Sequence, residues 1–326
     1  MPRRAFRDGR SNIQINDQIG PSVVSEFVTV YRGVVNPWEC DIMGHLNIQF
    51  YGAKVADGMS HFCHALGLHQ DLTDAGGITL SRRKAYSRYL GELHAGDILD
   101  IRAAVLAVDE NSVDILAEII NTTTHRLSAS FEMQYVGLDG ETQQPVPWPR
   151  EVRQRMTDLT GKHSDAPRPP TAGSPVPAYA GNLGETFVSS RGTINTWDCD
   201  SRGQMSFQQY YAIASDGIGP VRHRMGITRD IALAKHWGGV ALEYDIRFLN
   251  PIASGDIYSL RTGLLNLGDK TFRIGHRFHN DSSGELVATF DIIACMFDLQ
   301  ARRAMTIPPE IRAQAETLMV EWPPIE

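Results

Sequence analysis

Three side chains that could act on a carbonyl group lie close together near the start of the chain: Asp41, His45 and Asn47. A carboxylate can attack a carbonyl carbon or deprotonate a water molecule, and an imidazole can orient a substrate or take a proton. A strand-like run precedes these residues and a helix-like run follows them. The free backbone amides of that helix N-terminus can polarise a carbonyl through the helix dipole.

Each of these residues also has an ordinary structural interpretation. Asp41 can be a turn or helix-capping carboxylate, and His45 can satisfy polar groups at the start of the helix. Asn47 is expected first of all to be the N-cap of the helix, because asparagine is one of the preferred capping residues. A capping role and a role in substrate contact can coexist.

The elements that must position these residues follow from the hydrophobic pattern. Residues 23–35 are rich in β-branched and aromatic side chains until Pro37 ends the run, and Asn47 precedes a helix that Gly67 ends. Turn residues separate four further strand-like segments, and a short helix follows Pro149. The predicted strands cover residues 23–35, 78–90, 98–108, 113–121 and 127–138, and the predicted long helix covers 47–66.

The same pattern returns at a spacing of 159 residues. A repeat of this length indicates a duplicated domain, because solenoid units span about 20 to 50 residues. We therefore expect a mobile arm at 1–21, one domain at 22–160, a Pro-rich linker at 161–181 and a second domain at 182–326. The matching pairs include Arg32 and Arg191, Trp38 and Trp197, Asp41 and Asp200, Gly44 and Gly203, and Tyr51 and Tyr210.

Each half contains one long helix and about five strands, which suits an α+β domain with an antiparallel sheet wrapped around the helix. Two such halves can join sheet edges and form an intramolecular pseudo-dimer, which also protects those edges from aggregation. The two long helices, 47–66 and 206–225, should then pack side by side.

The stretch from Glu39 to Asn47, together with Tyr51, resembles the motif of acyl-CoA thioesterases in the hotdog superfamily, in the 4-hydroxybenzoyl-CoA thioesterase-like branch. In that branch an acidic residue and a Cys or Thr precede an Asp, with Gly three and Tyr ten positions later. The likeness extends over residues 23–158 and 184–320. It implies a double hotdog that hydrolyses an acyl-CoA, with Asp41 as nucleophile or general base and coenzyme A entering only as part of the substrate.

The resemblance also suggests residues that bind the substrate. Ile48 and Tyr51 are expected to contact it, and Asp57 occupies a position where other hotdog thioesterases have an acidic catalytic residue. Asp57 could equally be a solvated or inter-repeat contact. A basic cluster suits the phosphates of coenzyme A, although it could instead balance carboxylates on the same strand face; it comprises Arg82, Arg83 and Arg88.

The second copy of the motif is altered. Asp200 is present, but Gln204 and Ser206 replace the histidine and the asparagine of the first copy. The pattern therefore predicts one productive site in the first half and a degenerate site at Asp200 and Gln204 in the second.

Other functions remain open at this point. A hotdog hydratase or dehydratase would have Asn-Pro after the Asp and a His five residues after it, whereas here His45 follows Asp41 by four. An acyl carrier protein thioesterase is a closer alternative, because plant enzymes of that kind are also double hotdogs. A non-catalytic acyl-CoA-binding module is a third possibility, since the second motif is degenerate.

Composition limits the remaining classes. The 326 residues have a net charge of −7, which argues against a general nucleic-acid binder, and no apolar run is long enough for a membrane span. Four scattered cysteines suggest reduced thiols and a cytoplasmic protein. His61 and His64 are three apart but lack a third ligand at convincing spacing, so no metal is expected. Trp38 and Trp197 are expected to pack in the core or an interface, and further homo-oligomerisation is left open.

Overall fold

The computed structural model describes residues 27–68, 77–160, 172–175 and 181–322. The arm predicted at 1–21 lies outside the described residues, as does most of the linker predicted at 161–181. The first half consists of β1 (Val28–Val34), α1 (Ile48–Ala65), β2 (Ile78–Tyr89), β3 (Ile98–Val108), β4 (Ser112–Asn121), β5 (Arg126–Asp139) and α2 (Arg150–Asp158).

The second half repeats this order with two additions. It consists of β6 (Phe187–Thr193), α3 (Phe207–Arg224), α4 (Arg229–Lys235), β7 (Trp237–Phe248), β8 (Ile257–Leu267), β9 (Thr271–Asn280), β10 (Leu286–Asp298), β11 (Arg303–Ala304) and α5 (Pro309–Glu316). The short elements α4 and β11 were not predicted from the sequence. The predicted order of strands and helices is confirmed, with element ends that differ by one or two residues where both ends are described.

All the strands belong to one antiparallel sheet in the order β1-β3-β4-β5-β2-β7-β10-β9-β8-β6, with β11 paired to β10. The two halves join where β2 pairs with β7, and Tyr86 lies opposite Asp245 in that pair. These two residues are 159 positions apart in the sequence, so a pseudo-twofold axis passes between them. The edge of each half is thereby covered by the other half.

The two long helices lie against the concave face of this sheet and touch each other on the same axis. A Cβ atom added at Gly52 in α1 would lie 2.9 Å from the Tyr211 ring of α3, and these two residues are also equivalent in the repeat. Because the axis crosses the helices here, α1 and α3 run in opposite directions. The apolar face of α1, including Val55, Met59 and Phe62, is buried under the sheet.

Part of the predicted linker packs on the outer face of the sheet. The amide of Ala172 donates to Glu243 Oε2, and the amide of Gly173 donates to Asp291 Oδ2, both at 2.9 Å. Ala172 is buried against Tyr86 and Ile293, one from each side of the joint between the halves. This described part of the linker therefore covers the joint.

The expected α+β double hotdog is confirmed by this architecture. One expectation about the core is wrong, because the side chains of Trp38 and Trp197 are 74% and 81% exposed. Each is the middle residue of a short 3₁₀ turn, Pro37–Glu39 or Thr196–Asp198, which leaves its side chain exposed. No helix among the described residues is long and apolar enough to cross a membrane.

We predict that Gly52→Ala destabilises the protein by about 1–2 kcal/mol, although alanine is the better helix former. The added methyl group would press on the buried Tyr211 ring and push the two helices apart. Urea denaturation measures the effect. In a Tyr211→Leu background the same substitution should cost less, and a Gly52→Ala protein that is as stable as the wild type would contradict close contact of the helices.

Candidate active site

The segment between β1 and α1 folds into a tight loop that positions Asp41. The Asp41 amide donates to His45 O at 2.9 Å, and the Gly44 amide donates to Asp41 O at 3.0 Å. Gly44 has a φ of +83°, which glycine adopts without the steric cost of a side chain. The Met43 amide donates to Asp41 Oδ1 at 2.8 Å, so one carboxylate oxygen is held by the loop itself.

The second carboxylate oxygen of Asp41 faces His45. Oδ2 lies 3.4 Å from His45 Nδ1, which is longer than a normal hydrogen bond but close enough for electrostatic attraction. The other ring nitrogen, Nε2, is buried and has no hydrogen-bond partner among the described residues. Carboxylate and imidazole are thus neighbours, and Nε2 is a buried polar atom that no described group satisfies.

A buried ion pair ties the start of this loop to α1. Lys54 Nζ lies 2.9 Å from Glu39 Oε1 and also donates to Val34 O at 3.2 Å. Glu39 Oε2 accepts from the Asn36 amide, and Glu39 O accepts from the Asn47 amide. The sequence analysis did not identify this pair. The sequence does contain one indication of the ion pair, because Lys54 occurs among the apolar positions of the buried face of α1.

Asn47 is the N-cap of α1, as expected. Its side-chain oxygen accepts from the Gln49 amide at 3.0 Å, and its carbonyl accepts from the Phe50 amide at 2.9 Å. The Asn47 amide is itself bonded to Glu39 O, so it is not a free donor. Of the first amides of α1, that of Ile48 has no acceptor within the residues that the structure describes.

These residues border a cavity of about 550 Å³ that lies between the two halves. One wall is the Asp41 loop, the start of α1 and the end of β2, and the other is α3 with the inner face of the second half of the sheet. The lining from the first half includes Asp41, His45, Asn47, Ile48, Tyr51 and Tyr89. The lining from the second half includes Ser215, Ile218, Arg222, Val240, Phe272 and Ile292.

Small residues at the start of β7 keep this cavity open. A Cβ atom at Gly238 would lie 2.8 Å from Leu299 and 3.1 Å from the sulfur of Met43 in the Asp41 loop. A Cβ atom at Gly239 would have a single neighbour within 4 Å, at 3.8 Å. Ala241 follows with only a methyl group. Larger side chains at these positions would occupy the space that the cavity now has.

The equivalent space in the other half is filled. The guanidinium of Arg82, at the position of Ala241, lies 4.4 Å from the centroid of the Phe207 ring and 5.5 Å from that of Phe248. It also lies 5.7 Å from the Tyr135 ring. Stacking of a cation on aromatic rings is favourable, and here it occupies the region that corresponds to the open cavity.

The carboxylate of the second motif has different partners from that of the first. Asp200 pairs with Arg202 at 3.1 Å and accepts from the Arg202 amide at 2.9 Å. Gln204 contacts this carboxylate through its backbone amide, at 3.2 Å from Asp200 Oδ1, and its carbonyl accepts from the Asp200 amide at 2.7 Å. The predicted degenerate site therefore contains a carboxylate paired with an arginine next to a filled space.

The structure brings together five of the predicted site residues and separates the rest. Tyr51 lines the cavity, and burial raises the pKa of its hydroxyl, so that group stays a hydrogen-bond donor. Asp57 is exposed and does not line the cavity, although partial burial raises its pKa while Lys54 opposes the shift. The five residues that line the cavity are Asp41, His45, Asn47, Ile48 and Tyr51.

The predicted basic cluster is also dispersed. Arg82 turns into the filled space of the other half, whereas Arg88 acts electrostatically on Glu132 and Tyr86 and so belongs to the outer face of the sheet. Arg83 is half-buried on β2, and none of the three lines the open cavity. The bulge in β2 between Arg82 and Lys84 changes the direction in which these side chains project, which the sequence does not reveal.

Two antiparallel sheets joined edge to edge, each wrapped around one long helix that follows a loop of the same length in both halves, define the double hotdog class of proteins. The family model of the thioesterase-like superfamily matches residues 35–156 and again residues 194–315. The chain therefore belongs to the thioesterase-like superfamily, with one copy of the family domain in each half.

Individual relatives agree with this family. A curated L-carnitine dehydrogenase/betainyl-CoA thioesterase from Agrobacterium fabrum is 29% identical over 118 residues, which is 36% of this chain and only 24% of that protein. A putative oleoyl thioesterase from Lactobacillus plantarum has a TM-score of 0.63 at 14% identity, covering 81% of this chain and 94% of that one. An acyl-ACP thioesterase from Bacteroides thetaiotaomicron has a TM-score of 0.59 at 13% identity, covering 82% and 98%. The structural likenesses show the fold.

We predict that Lys54→Met lowers the free energy of unfolding by about 3–5 kcal/mol, because it leaves the buried carboxylate of Glu39 without its cation. Chemical denaturation measures this. The double variant Lys54→Met/Glu39→Gln should recover part of the loss, since the unpaired charge is then removed. A loss below about 1 kcal/mol for the single variant would mean that the pair is not needed to hold the loop.

We predict that Arg82→Ala reduces stability by about 1–3 kcal/mol and leaves the affinity for coenzyme A unchanged. The guanidinium supports the aromatic rings that fill the second half, and it does not line the open cavity. Calorimetric titration with coenzyme A and thermal denaturation provide the two readouts. A tenfold loss of affinity without loss of stability would restore Arg82 as a phosphate ligand.

Proposed function

We propose that the protein hydrolyses an acyl-CoA thioester to the free acid and coenzyme A at the site in its first half. The observation that carries the proposal is that the Asp41 carboxylate, the His45 imidazole and the N-terminus of α1 all border the same open cavity. Membership of the thioesterase-like superfamily and the similarity to a betainyl-CoA thioesterase support it.

The cavity suits an acyl group because most of its lining is apolar. With the acyl chain against the inner face of the second half, the thioester carbonyl would lie at the start of α1. The Ile48 amide is the donor there that the loop and the cap leave available, and the helix dipole adds to its effect. A donor directed at the carbonyl oxygen stabilises the oxyanion as it forms.

Asp41 supplies the reactive carboxylate. It either attacks the thioester carbon, forming an anhydride that water then hydrolyses, or removes a proton from the attacking water. In both routes the carbon–sulfur bond breaks, and the thiolate of coenzyme A leaves and takes up a proton. The hydrogen bond from the Met43 amide fixes one oxygen of Asp41, so the other can face the substrate. The His45 imidazole lies beside this carboxylate and lines the same cavity, so it can orient the reacting groups.

The alternatives receive less support from the site. An acyl carrier protein substrate is suggested by a structural relative that shares only the fold with this chain. A non-catalytic binder would not require a carboxylate, an imidazole and a helix N-terminus on this open cavity while the equivalent space in the other half is filled. A hydratase would have an Asn-Pro pair after the catalytic Asp, and no such pair follows Asp41 within its motif.

We predict that Asp41→Asn lowers kcat at least about a hundredfold and changes substrate affinity little. The substitution keeps the size of the side chain and removes the charge that acts in the chemical step. The measurements are steady-state hydrolysis across a panel of acyl-CoAs, with detection of free thiol, and equilibrium binding of a non-hydrolysable thioether analogue.

The matched control is Asp200→Asn, the same change at the equivalent position of the second half. It should retain most of the turnover, because Asp200 pairs with Arg202 beside the space that Arg82 fills. Loss of turnover in the Asp200 variant with normal turnover in the Asp41 variant would reverse the assignment. If neither carboxylate is required, the proposed mechanism is wrong.

A further inference from the structure

One charged residue of the cavity has no part in the chemistry proposed above. Arg222 lies in the last turn of α3 and lines the same cavity as Asp41, but from the opposite half of the molecule. It is half-buried, and burial lowers the pKa of its guanidinium. The corresponding residue in the first half is Cys63, so the repeat itself does not require an arginine here.

The charge of Arg222 has no carboxylate counterpart in the described part of the chain. Within the described residues no carboxylate forms an ion pair with it, and burial is the only influence on its pKa that stands out. Its neighbours in the cavity wall are apolar, among them Ile218, Met225 and Phe272. Several other arginines have a carboxylate partner, as in Arg32–Asp100, Arg102–Glu118, Arg273–Asp291 and Arg302–Glu92. Arg82 and Arg224 have none among the residues that the structure describes but stack on aromatic rings.

An arginine in an apolar wall costs free energy unless something neutralises it. A planar guanidinium binds a carboxylate through two parallel hydrogen bonds, so it is well suited to an anionic group of a ligand. Since the cavity is where the acyl group would lie, the ligand that enters it can supply the missing charge.

The position of Arg222 along α3 indicates which part of the ligand it would meet. The helices cross at Gly52 and Tyr211 and run in opposite directions, so Ser215 of α3 lies beside Ile48 at the start of α1. Arg222 is seven residues further along α3, a distance of roughly 10 Å at the helical rise. The backbone of Arg222 is therefore displaced along α3 from the start of α1, where the thioester carbonyl would be held.

We infer that the preferred substrate is a thioester whose acyl group ends in a carboxylate, and that Arg222 binds this carboxylate at the far end of the cavity. The inference rests on the proposed function and names the class of acyl group that the site takes: half-thioesters of dicarboxylic acids. The phosphates of coenzyme A are a poorer match, because coenzyme A and the acyl chain extend from opposite sides of the thioester carbonyl. With the acyl chain in this apolar cavity, the phosphates would lie away from Arg222. A cationic acyl group such as betainyl would meet a like charge.

The test compares adipyl-CoA with hexanoyl-CoA, whose acyl groups have equal chain length and differ only in the terminal carboxylate. Betainyl-CoA is added as a shorter, cationic thioester. The wild type should hydrolyse adipyl-CoA with a kcat/KM at least tenfold above that for hexanoyl-CoA, and betainyl-CoA should be the poorest substrate of the three. Arg222→Met should lower the ratio of the adipyl to the hexanoyl value about ten- to a hundredfold, because a charge-assisted contact is lost. Arg222→Lys should retain part of the preference.

The control variant is Arg224→Met, two residues further along the same helix, where the arginine stacks on Phe187 at 4.2 Å and does not line the cavity. It should keep the wild-type ratio. The inference is overturned if the wild type and Arg222→Met have the same ratio of adipyl to hexanoyl kcat/KM and both hydrolyse the two thioesters equally well. The proposed function would still stand in that case.

Binding separates this inference from the proposed function. If the wild type hydrolyses none of the thioesters, the proposed function fails, and calorimetry with thioether analogues of adipyl-CoA and hexanoyl-CoA still tests Arg222. Tighter binding of the adipyl analogue that is lost in Arg222→Met supports the inference. Equal binding of the two analogues to the wild type refutes it.

Discussion

The pairing of β2 with β7 is the constraint on which the rest of this structure depends. It joins two similar halves into one antiparallel sheet and places the pseudo-twofold axis at Tyr86 and Asp245. The same axis brings α1 and α3 together at Gly52 and Tyr211. The start of each helix is consequently set against the later turns of the other, so the space in front of each helix is enclosed by residues of both halves.

Duplication supplies two such spaces, and the two have diverged. In the first, glycines and an alanine on β7 leave room beside Asp41, and the neighbouring histidine lies against that carboxylate. In the second, Arg82 and three aromatic rings occupy the room, and Asp200 pairs with an arginine. Protein interiors are close-packed, so the space that these side chains fill has little room for a ligand, whereas the first space remains open.

The first half also contains a buried ion pair that the second half lacks. Lys54 and Glu39 are held together under the loop that carries Asp41, whereas the second half has Ile213 at the position of the lysine. A buried ion pair is a weak source of stability, but it permits few alternative arrangements of the backbone around it. The ion pair and the cap at Asn47 therefore matter more for the geometry of the Asp41 loop than for the overall stability of the protein.

The sequence by itself determined the duplication, the order of strands and helices, the cap at Asn47 and the grouping of Asp41 with His45, because these depend on local periodicity, turn residues and short spacing. Only the tertiary structure decided which residues from the other half complete the site. Arg222 lies far from Asp41 in the sequence. Arg82 was predicted to bind phosphate, but in the fold it stacks on Phe207 at the start of α3. Contacts between halves depend on strand register and on the bulge in β2, and neither leaves a local pattern in the sequence.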